Sequence, residues 1–485
     1  MTDRPLWAVE AMVAGMRAAR NGPLPPSVPG ISIDTRTIAR GEAFFAIKGD
    51  NRDGHDVVQS ALAAGAGLAV VSADRREVFP KDAPLLVVAD VLEGLRDLAR
   101  AARARSRAKI VAVTGSVGKT GTKEALRLTL ARNGETHASL ASYNNHWGVP
   151  LSLARCPESA RYAVFELGMN HAGEIEPLTR LVRPQVAIIT TVEPVHLEFF
   201  GSLEAIADAK AEIFLGLERG GAAVINRDNP QFARLERSAQ NAKVERIVSF
   251  GEHARADARL MKCSLQSDTS TVQARIFGTD LTYKLGAPGR HLVLNSLAVL
   301  AAAVLVGADL ALAALALVDL QPAGGRGARL TLDVPGGKAL LIDESYNANP
   351  ASMRAALALL SHANVGPLGR RIAVLGDMLE LGPRGAELHR ELAMAVLAHD
   401  VDLVFCCGPL MRAFWEALPS RRKGGYAETS AALESQGLAA VQPGDAVMVK
   451  GSLGSRMAPI VKALQSRYRR ETSVLAPAQA STIDG

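Results

Sequence analysis

One stretch of the chain limits what its central part can fold into. Residues 110–120 read IVAVTGSVGKT, in which a β-branched apolar run ends at a glycine-bounded turn and Gly118-Lys119-Thr120 begins a helix. Backbone N–H groups at such a helix start point at anions, and a lysine and a hydroxyl there contact phosphates and Mg²⁺. We therefore predict a phosphate-binding loop, called the phosphate loop below, made of Thr114, Gly115, Ser116, Val117, Gly118, Lys119 and Thr120.

The phosphate loop departs from the ordinary pattern G-x-x-x-x-G-K-[ST]. Position 113, where that pattern has glycine, holds Val113, and the glycine comes two residues later at Gly115. A glycine-rich turn that a Lys-Thr pair follows by chance is the alternative interpretation.

Length and pattern indicate three domains, since 485 residues amount to about three domains of ordinary size. A helix rich in arginine and alanine ends near residue 106, and the run PAGGRG at 322–327 marks a second linker. Residues from about 470 are predicted to form a frayed tail. The expected architecture is α/β, with a small α/β domain over 1–106, a central parallel-sheet P-loop ATPase domain over 107–327 and a Rossmann-like α/β domain over 328–485.

Strand signals alternate with helical periodicity in the central and C-terminal domains, which is typical of parallel sheets. The predicted strands are 110–113, 162–165, 186–191, 222–225, 339–342, 371–375, 403–406 and 446–449. Ligands of such sheets bind beyond the carboxyl ends of the strands. Glu166, His196 and Asn226 each follow a predicted strand, so we expect them to face one crevice together with the phosphate loop.

Three side chains in this region suit a metal site. Glu166 directly follows an apolar strand, where an unpaired carboxylate would be costly, whereas Mg²⁺ beside phosphates needs oxygen ligands and can take an imidazole. His196 taken alone is better explained as a loop histidine, but the presence of Glu166 and the phosphate loop favours a metal ligand. Lys210, in the helical segment AIADAKAEIF, is either a solvated helix charge or a lysine of lowered pKa that takes up CO₂. A Lys210 carbamate would be an anionic metal ligand or orienting group.

Composition argues against two other classes of protein. The net charge is +6, but the basic residues are scattered and aromatic residues make up only 4%, so no stacking platform for nucleic acid is expected. The apolar segment 292–320 contains Asp309 shortly after a glycine, which predicts two packed helices with Asp309 at the N-cap of the second rather than a membrane span. Four cysteines without a C-x-x-C pair are typical of a reduced cytoplasm. We expect a cytoplasmic monomer without membrane insertion.

Taken in order, these segments resemble the Mur ligase family. The similar segments extend from Asp34 to Ser452 and are DTR, TGSVGKT, YNN with GVP, ELGM, HLEFFGS, AKAEIF, GRGAR, DESYNANP and VKGS. The segment GDMLELG at 376–382 is similar to the family member that adds D-alanyl-D-alanine, and the sequence lacks the Asp-Asn-Pro-Arg signature of the diaminopimelate-adding member. Folylpolyglutamate synthase shares the phosphate loop but is not expected to carry DTR, FFAIKG and DGHD near its N-terminus.

The resemblance implies a ligase that uses ATP and Mg²⁺ to join D-alanyl-D-alanine to UDP-N-acetylmuramoyl-tripeptide through an acyl phosphate. It implies that Lys119 and Arg326 neutralise the transferring phosphoryl group. It also implies that Thr120 and Glu166 hold one Mg²⁺, while His196 and the Lys210 carbamate organise a second. The other implied contacts are Asn145, Asn295, Arg326 and Asp343 for ATP, Asn144 for the base or the substrate, Asp34, Thr35, Arg36 and the 45–49 loop for the uridine nucleotide, and Lys450 and Ser452 for the dipeptide.

Three questions stay open at this point. Another Mur-type amino-acid ligase or a folylpolyglutamate synthase-like enzyme is the alternative within the same chemistry. A nucleotide-binding switch protein is the alternative outside it, because a switch also needs a phosphate loop and a moving domain. The third residue of the tripeptide, diaminopimelate or lysine, is not determined by the sequence.

Overall fold

A computed structural model of the protein describes residues 5–49, 52–140, 142–195, 197–437 and 441–468, with the side chains of 435–437 left out. His196 and the tail predicted from about 470 therefore lie outside the described residues. The chain divides into two compact units, Met1–Gln321 and Pro322–Gly485. The first contains a two-stranded antiparallel sheet (Trp7–Ala8 with Ser27–Val28), a five-stranded sheet and a nine-stranded sheet, and the second contains a six-stranded sheet.

The N-terminal part of the first unit is a small α/β domain. Its strands are β1 (Trp7–Ala8), β2 (Ala19–Asn21), β3 (Ser27–Val28), β4 (Ile31–Ser32), β5 (Ala43–Phe45), β6 (Leu68–Ser72) and β7 (Leu85–Val88), and its helices are α1 (Val9–Met16), α2 (Val58–Ala63) and α3 (Val91–Arg105). The sheet has the order β2-β7-β6-β5-β4, in which β4 to β7 are parallel and β2 is antiparallel. The indole of Trp7 donates a hydrogen bond to the Ala154 carbonyl at 2.8 Å, which fixes this domain to the central one.

The central part of the first unit is built on the nine-stranded sheet. Its strands are β8 (Lys109–Thr114), β9 (Thr136–Ala138), β10 (Tyr162–Glu166), β11 (Val186–Ile189), β12 (Ala222–Asn226), β13 (Arg246–Gly251), β14 (Ala258–Leu265), β15 (Ser270–Ile276) and β16 (Thr279–Leu285). Its helices are α4 (Lys119–Ala131), α5 (Gly148–Ala154), α6 (Ile175–Val182), α7 (Leu197–Phe200), α8 (Leu203–Ala211), α9 (Phe232–Asn241), α10 (Arg290–Leu305) and α11 (Leu310–Ala316).

The order of this sheet is β16-β15-β14-β13-β12-β11-β8-β10-β9. Strands β9 to β14 and β8 run parallel, and β15 and β16 add an antiparallel meander at one edge. Strand β8 lies between β11 and β10, and its residues from Ile110 to Thr114 are completely buried. A parallel sheet that helices cover on both faces explains why β8 is an unbroken apolar run rather than an alternating one.

The second unit is the Rossmann-like domain. Its strands are β17 (Ala328–Val334), β18 (Gly337–Glu344), β19 (Arg371–Gly376), β20 (Leu403–Cys407), β21 (Lys423–Ala427) and β22 (Ala446–Lys450). Its helices are α12 (Pro350–Ser361), α13 (Gly385–Ala398), α14 (Met411–Ala417), α15 (Ser430–Gly437) and α16 (Ala458–Arg467). The sheet order is β17-β18-β22-β19-β20-β21, parallel except for the edge strand β17.

These elements confirm the predicted α/β fold and the eight predicted strands, of which seven are longer than predicted and one is shorter. Strand β11 ends at Ile189 instead of residue 191, and the two threonines that follow it contact the phosphate loop. The N-cap prediction is confirmed, since the Asp309 carboxylate accepts a hydrogen bond from the Leu312 N–H at 2.8 Å. No helix in the described part of the chain is long and apolar enough to cross a membrane. The domain boundaries near residues 106 and 327 stay predictions.

Candidate active site

The phosphate loop joins β8 to α4 at the carboxyl end of the central sheet. Gly115 and Gly118 have φ angles of 148° and 87°, which L-residues rarely adopt. A Cβ atom on Gly115 would lie 1.9 Å from the Thr190 hydroxyl, and one on Gly118 would lie 2.4 Å from the amide nitrogen of Asn295. Val113, in contrast, is a buried strand residue that pairs with Glu166 in register. The loop therefore needs glycine at position 115 and has no need of it at position 113.

Residues that follow β11 hold the phosphate loop in place. The Thr190 hydroxyl donates to the Val117 carbonyl at 2.6 Å, and the Ser116 N–H donates to the Thr191 carbonyl at 2.9 Å. The Asn226 amide donates in turn to the Thr190 carbonyl at 3.2 Å. Asn226 thus lies beside the loop as predicted, and the loop conformation is fixed by neighbouring strands.

The cation of the phosphate loop lies over the loop itself. The ammonium of Lys119 donates a hydrogen bond to the Gly115 carbonyl at 2.6 Å. Gly118 precedes Lys119 as the N-cap of α4, so backbone N–H groups of the first helical turn point out of the same end of the helix. An ammonium and a helix N-terminus in one loop form a binding site for an anion such as phosphate.

A buried carboxylate lies next to the hydroxyl that ends the loop. Thr120 Oγ1 donates to Glu166 Oε2 at 2.9 Å, and Asn144 Nδ2 donates to Glu166 Oε1 at 2.8 Å. The Ser142 hydroxyl lies 3.4 Å from Thr120 Oγ1. Thr120 is 6% exposed and Glu166 only 1%. The structure therefore brings together Thr120, Glu166 and Asn144 at the carboxyl ends of β8 and β10.

The oxygen atoms of Thr120 and Glu166 suit a magnesium ion, which prefers a carboxylate, hydroxyl and phosphate oxygens as ligands. Among the residues that the structure describes, no group of three or more His, Cys, Asp and Glu side chains could hold a metal ion. A magnesium ion held by one carboxylate and one hydroxyl would take its remaining ligands from phosphates and water, which is the usual arrangement for Mg²⁺.

Lys210 is buried in α8 with 2% of its surface exposed. Burial lowers its pKa well below the usual value, and the charge of Lys119 lowers it further. Asp208 on the same helix is half-exposed and pairs with Arg234 at 2.6 Å. The interpretation of Lys210 as a solvated helix charge is therefore wrong.

Two more predicted ATP contacts lie in the first unit, Asn295 and Asn145, and only the first of them lies against the phosphate loop. Asn295 on α10 lies against Gly118 of the phosphate loop. Asn145 instead lies just before α5, and its side-chain oxygen accepts a hydrogen bond from the N–H of Gly148, the first residue of that helix, at 2.9 Å. Of the two adjacent asparagines, Asn144 is therefore the one that contacts the carboxylate Glu166.

The predicted uridine-nucleotide residues lie in the turn after β4. The Asp34 carboxylate accepts a hydrogen bond from the Arg36 N–H at 2.9 Å and pairs with the Arg36 guanidinium at 2.7 Å. The hydrogen bond to this side chain lowers the pKa of Asp34 to about 2. Arg36 is exposed and Thr35 is half-buried between them. The turn therefore exposes the Arg36 guanidinium to solvent while the ionised Asp34 carboxylate holds it in place.

In the second unit, Asp343 fixes the glycine-rich joint that carries Arg326. Its carboxylate accepts hydrogen bonds from the Gly325 N–H at 2.8 Å and from the Ser345 hydroxyl at 2.6 Å. The guanidinium of Arg326 lies over the ring of Tyr346, with 4.1 Å between Cζ and the ring centroid. Cation–π contacts of this kind orient a guanidinium without neutralising its charge.

Of the two residues predicted to lie near the dipeptide, Lys450 is the last residue of β22 and Ser452 follows that strand. The Lys450 ammonium donates to Glu344 Oε2 at 3.2 Å and to the Asn347 carbonyl at 3.0 Å. The Ser452 hydroxyl donates to the Ala348 carbonyl at 3.3 Å and accepts from the Leu379 N–H at 2.9 Å. Both side chains are almost completely buried. They join the segments that follow β18, β19 and β22.

Sequence reasoning missed Lys123, Ser142 and Thr190. Ser142 and Thr190 contact Thr120 and the phosphate loop, as described above. Lys123 lies one turn beyond Thr120 on α4 and is completely buried. A threonine after a strand and a lysine on a helix are common surface residues, so the sequence offers only their nearness to the predicted site as a signal.

The parallel sheet, the phosphate loop and the buried Thr120–Glu166 pair define a class of α/β proteins that bind nucleotide phosphates. Three family descriptions match successive parts of this chain: "Mur ligase family, catalytic domain" at residues 27–103, "Mur ligase middle domain" at 113–303 and "Mur ligase, glutamate ligase domain" at 329–453.

Similarity to individual proteins extends over nearly the whole chain. The chain is 34% identical to the UDP-N-acetylmuramoyl-tripeptide--D-alanyl-D-alanine ligase of Escherichia coli (strain K12), over 90% of this chain and 94% of that protein. Solved structures of MurF from Acinetobacter baumannii (29% identity, TM-score 0.81, 95% of this chain and 99% of that one) and of MurF ligase from Thermotoga maritima in complex with ADP (26%, 0.73, 90% and 98%) are also similar. The chain belongs to the Mur ligase family.

Proposed function

We propose that this protein is an ATP-dependent amide ligase that joins D-alanyl-D-alanine to UDP-N-acetylmuramoyl-tripeptide, giving the pentapeptide precursor of peptidoglycan. The observation that carries the proposal is the Thr120–Glu166 pair at the end of a glycine-dependent phosphate loop. Its support comes from the E. coli relative named for this ligation and from the Thermotoga relative in complex with ADP.

The reaction follows from the weakness of a carboxylate as an acylating agent. A carboxylate oxygen of the tripeptide attacks the γ-phosphorus of ATP, the bond from that phosphorus to the bridging oxygen breaks, and ADP leaves. The amine of the dipeptide then attacks the carbonyl carbon of the acyl phosphate. Phosphate leaves with the oxygen that the carboxylate supplied, and the nitrogen loses one proton as the amide forms.

Cations of this chain oppose the negative charge that collects around the transferring phosphoryl group. Lys119 is the ammonium of the phosphate loop, and its contact with the Gly115 carbonyl keeps it there before ATP binds. Arg326 is the second cation in this proposal. Its place in a joint with glycines on both sides lets it move onto the phosphates when domains close.

Thr120 and Glu166 would hold a magnesium ion at the β- and γ-phosphates. Bound there, the metal would offset phosphate charge in the transition state. Asn144 donates to the second oxygen of Glu166 and so orients the carboxylate toward Thr120. A second magnesium ion would be organised by His196 and by a Lys210 carbamate.

The carbamate is supported by the burial of Lys210 and the direction of its pKa. An unprotonated amine attacks the carbon of CO₂, loses one proton and becomes an anionic carbamate. This change replaces a buried neutral amine near Lys119 with an anion, which the positive charge of Lys119 favours, and it creates an oxygen donor for a metal.

The substrates are assigned to the remaining predicted residues. ATP contacts Asn145, Asn295, Arg326 and Asp343, and the uridine nucleotide contacts Asp34, Thr35, Arg36 and the 45–49 loop. Asn144 lies near the base or the substrate, and Lys450 and Ser452 lie near the dipeptide. We further propose that the enzyme acts as a monomer in the cytoplasm, which light scattering and cell fractionation test.

Mass spectrometry of the products tests the proposed function. Purified protein is incubated with ATP, Mg²⁺, D-alanyl-D-alanine and a UDP-tripeptide that ends in diaminopimelate or in lysine. We expect a pentapeptide product from one of them, with ADP formed over repeated turnovers only when both peptide substrates are present. ADP formation without peptide substrates would favour a nucleotide switch, and addition of glutamate to a folate would favour the folylpolyglutamate synthase alternative.

A further inference from the structure

Helix α4 buries a charged side chain, Lys123, in addition to hydroxyl groups such as that of Thr120. Lys123 follows Thr120 by three residues, so both side chains lie on the same face of the helix. Lys123 has no exposed surface and is among the largest completely buried side chains of the described residues. An ammonium is strongly disfavoured in such a place unless it is paired and hydrogen-bonded. The burial of Lys123 therefore indicates that its ammonium has a structural role.

The partners of Lys123 lie on two different segments. Its ammonium donates a hydrogen bond to the Ser139 carbonyl at 2.7 Å and pairs with Glu124 at 2.9 Å. Glu124 also pairs with Arg127 at 2.8 Å on the outer face of the helix. The bond to Ser139 is the one that leaves the helix, since Ser139 directly follows β9.

The segment that begins at Ser139 also supplies the side chains around the candidate magnesium site. Ser142 lies 3.4 Å from Thr120 Oγ1, and Asn144 donates to Glu166 Oε1 at 2.8 Å. Thr120 therefore contacts this segment through the side chain of Ser142, and Lys123 contacts it through the backbone carbonyl of Ser139. Whatever fixes Ser139 against α4 limits the positions open to Ser142 and Asn144.

We propose that Lys123 is a positioning residue for the magnesium nucleotide site. Its ammonium ties the start of this segment to α4 and so holds Ser142 and Asn144 against the Thr120–Glu166 pair. Lys123 contacts neither nucleotide nor metal in this arrangement. The inference rests on the proposed use of ATP and Mg²⁺, but the exchange measurement below needs neither ligand.

The test compares Lys123→Met, which keeps the length of the side chain and removes its charge, with Lys123→Arg and Arg127→Gln. Arg127→Gln is the matched control, because it removes the outer partner of Glu124 and leaves Ser139 alone. Hydrogen exchange is followed by mass spectrometry in a peptide covering residues 139–149, without ligands. Calorimetry then measures the affinity for ADP with and without Mg²⁺.

We expect faster exchange in this peptide for Lys123→Met and a loss of Mg²⁺-dependent ADP affinity of roughly tenfold or more, as for other residues that orient metal ligands. KM for ATP rises while KM for the UDP-tripeptide stays near the wild-type value. Lys123→Arg recovers part of both losses, and Arg127→Gln behaves as wild type. In the double variant that combines Lys123→Met with Asn144→Ala, the loss of Mg²⁺-dependent ADP binding free energy is smaller than the sum of the two single losses, because both substitutions act on the same contact.

Wild-type exchange and wild-type Mg²⁺-dependent affinity in Lys123→Met would overturn the proposal, and so would an equal rise in KM for all three substrates. If Lys123→Met does not fold, Lys123→Gln, which also removes the charge, carries the same test, and wild-type exchange with wild-type Mg²⁺-dependent affinity in it would overturn the proposal. A wild-type protein that forms no pentapeptide defeats the proposed function instead, while exchange and ADP affinity still report on Lys123.

Discussion

Thr120 Oγ1 donates a hydrogen bond to Glu166 Oε2 at 2.9 Å and so joins the first turn of α4 to the last residue of β10. The two residues are 46 positions apart in the chain. They meet because β8 and β10 are neighbours in register, with Val113 opposite Glu166. The sheet thus delivers a carboxylate to the end of the phosphate loop, which is where a metal bound to nucleotide phosphates has to lie.

Removing the Thr120 hydroxyl tests this arrangement. In Thr120→Val we expect Mg²⁺-dependent ADP binding to weaken by about 10-fold or more, because a hydroxyl donor is lost beside Glu166, whereas Thr120→Ser keeps most of the affinity. Calorimetric titrations across Mg²⁺ concentrations measure the effect. Thr129→Val is the control, since Thr129 carries a buried hydroxyl on the same helix that donates to the Leu126 carbonyl within that helix. Equal losses in Thr129→Val would mean that Thr120 supports the helix rather than the metal.

Replacement of the loop cation has a larger expected effect. Lys119→Ala removes the ammonium that lies 2.6 Å from the Gly115 carbonyl inside the phosphate loop. Losses at charged transition states of this kind commonly reach about 10²-fold or more in kcat. Steady-state kinetics with saturating substrates measure the change. A near-normal kcat would show that the phosphate loop takes no part in catalysis.

Arg326 is predicted to act on the phosphoryl group and not on substrate binding. In Arg326→Ala we expect phosphoryl transfer, followed by ADP release, to slow markedly, because one of the two cations assigned to the phosphates is missing. UDP-tripeptide affinity stays close to wild type, since that substrate is assigned to the N-terminal domain. Calorimetry with the UDP-tripeptide is the check, and an equal loss of its affinity would contradict the assignment.

Eight strands of the two large sheets could be predicted because an apolar run ends in a polar turn at each of them. The others were not predicted, among them β14, β15 and β16, although β15 alternates buried and less buried residues. These edge strands have one solvated face, and their mixed composition does not stand out beside the buried parallel strands. The antiparallel edge of the central sheet was therefore found only in the structure.

Within the site, the position of Glu166 could be predicted because a carboxylate at the end of an apolar strand needs a partner. The roles of Asn144 and Asn145 could not be separated, because irregular segments lack the periodicity that tells one face from another. Lys123 could not be found because its burial depends on a contact with Ser139, which comes from a different element of the fold. A lysine on a helix is ordinarily solvated.

Protein stability is expected to fall in mild acid because of His389. This side chain is completely buried, and its Nε2 accepts a hydrogen bond from the Met378 N–H at 2.9 Å, so Nδ1 carries the proton that is donated to the Gly385 carbonyl at 2.6 Å. Burial lowers the pKa of His389 below its usual 6.5. Below that pH the unfolded chain binds the proton more readily than the folded one, so stability is lost as the pH falls toward the lower pKa of the folded state.

Denaturant unfolding of wild type and His389→Gln between pH 7 and pH 5 measures this contribution. The free energy of unfolding should fall more steeply with decreasing pH in the wild type, because the variant lacks the titrating group. Burial raises the pKa of the neighbouring Asp377, whose contribution has the opposite sign and is lost as the pH rises. The difference between the two proteins isolates the histidine, and parallel curves would exclude it as the source.

Lys210 is predicted to work as a carbamate, because its amine is buried, has a lowered pKa and lies where an ammonium would oppose Lys119. Lys210→Ala should be nearly inactive, and acetate or formate should restore part of its rate by supplying an anion in the vacated volume. Asp208→Ala, which changes an exposed residue of the same helix, keeps wild-type activity and serves as the control. An unmodified ammonium that contacts phosphate predicts the reverse pattern, rescue by small amines and none by acids. Rates of Lys210→Ala across both series decide between them, and rescue by amines alone would end the carbamate hypothesis.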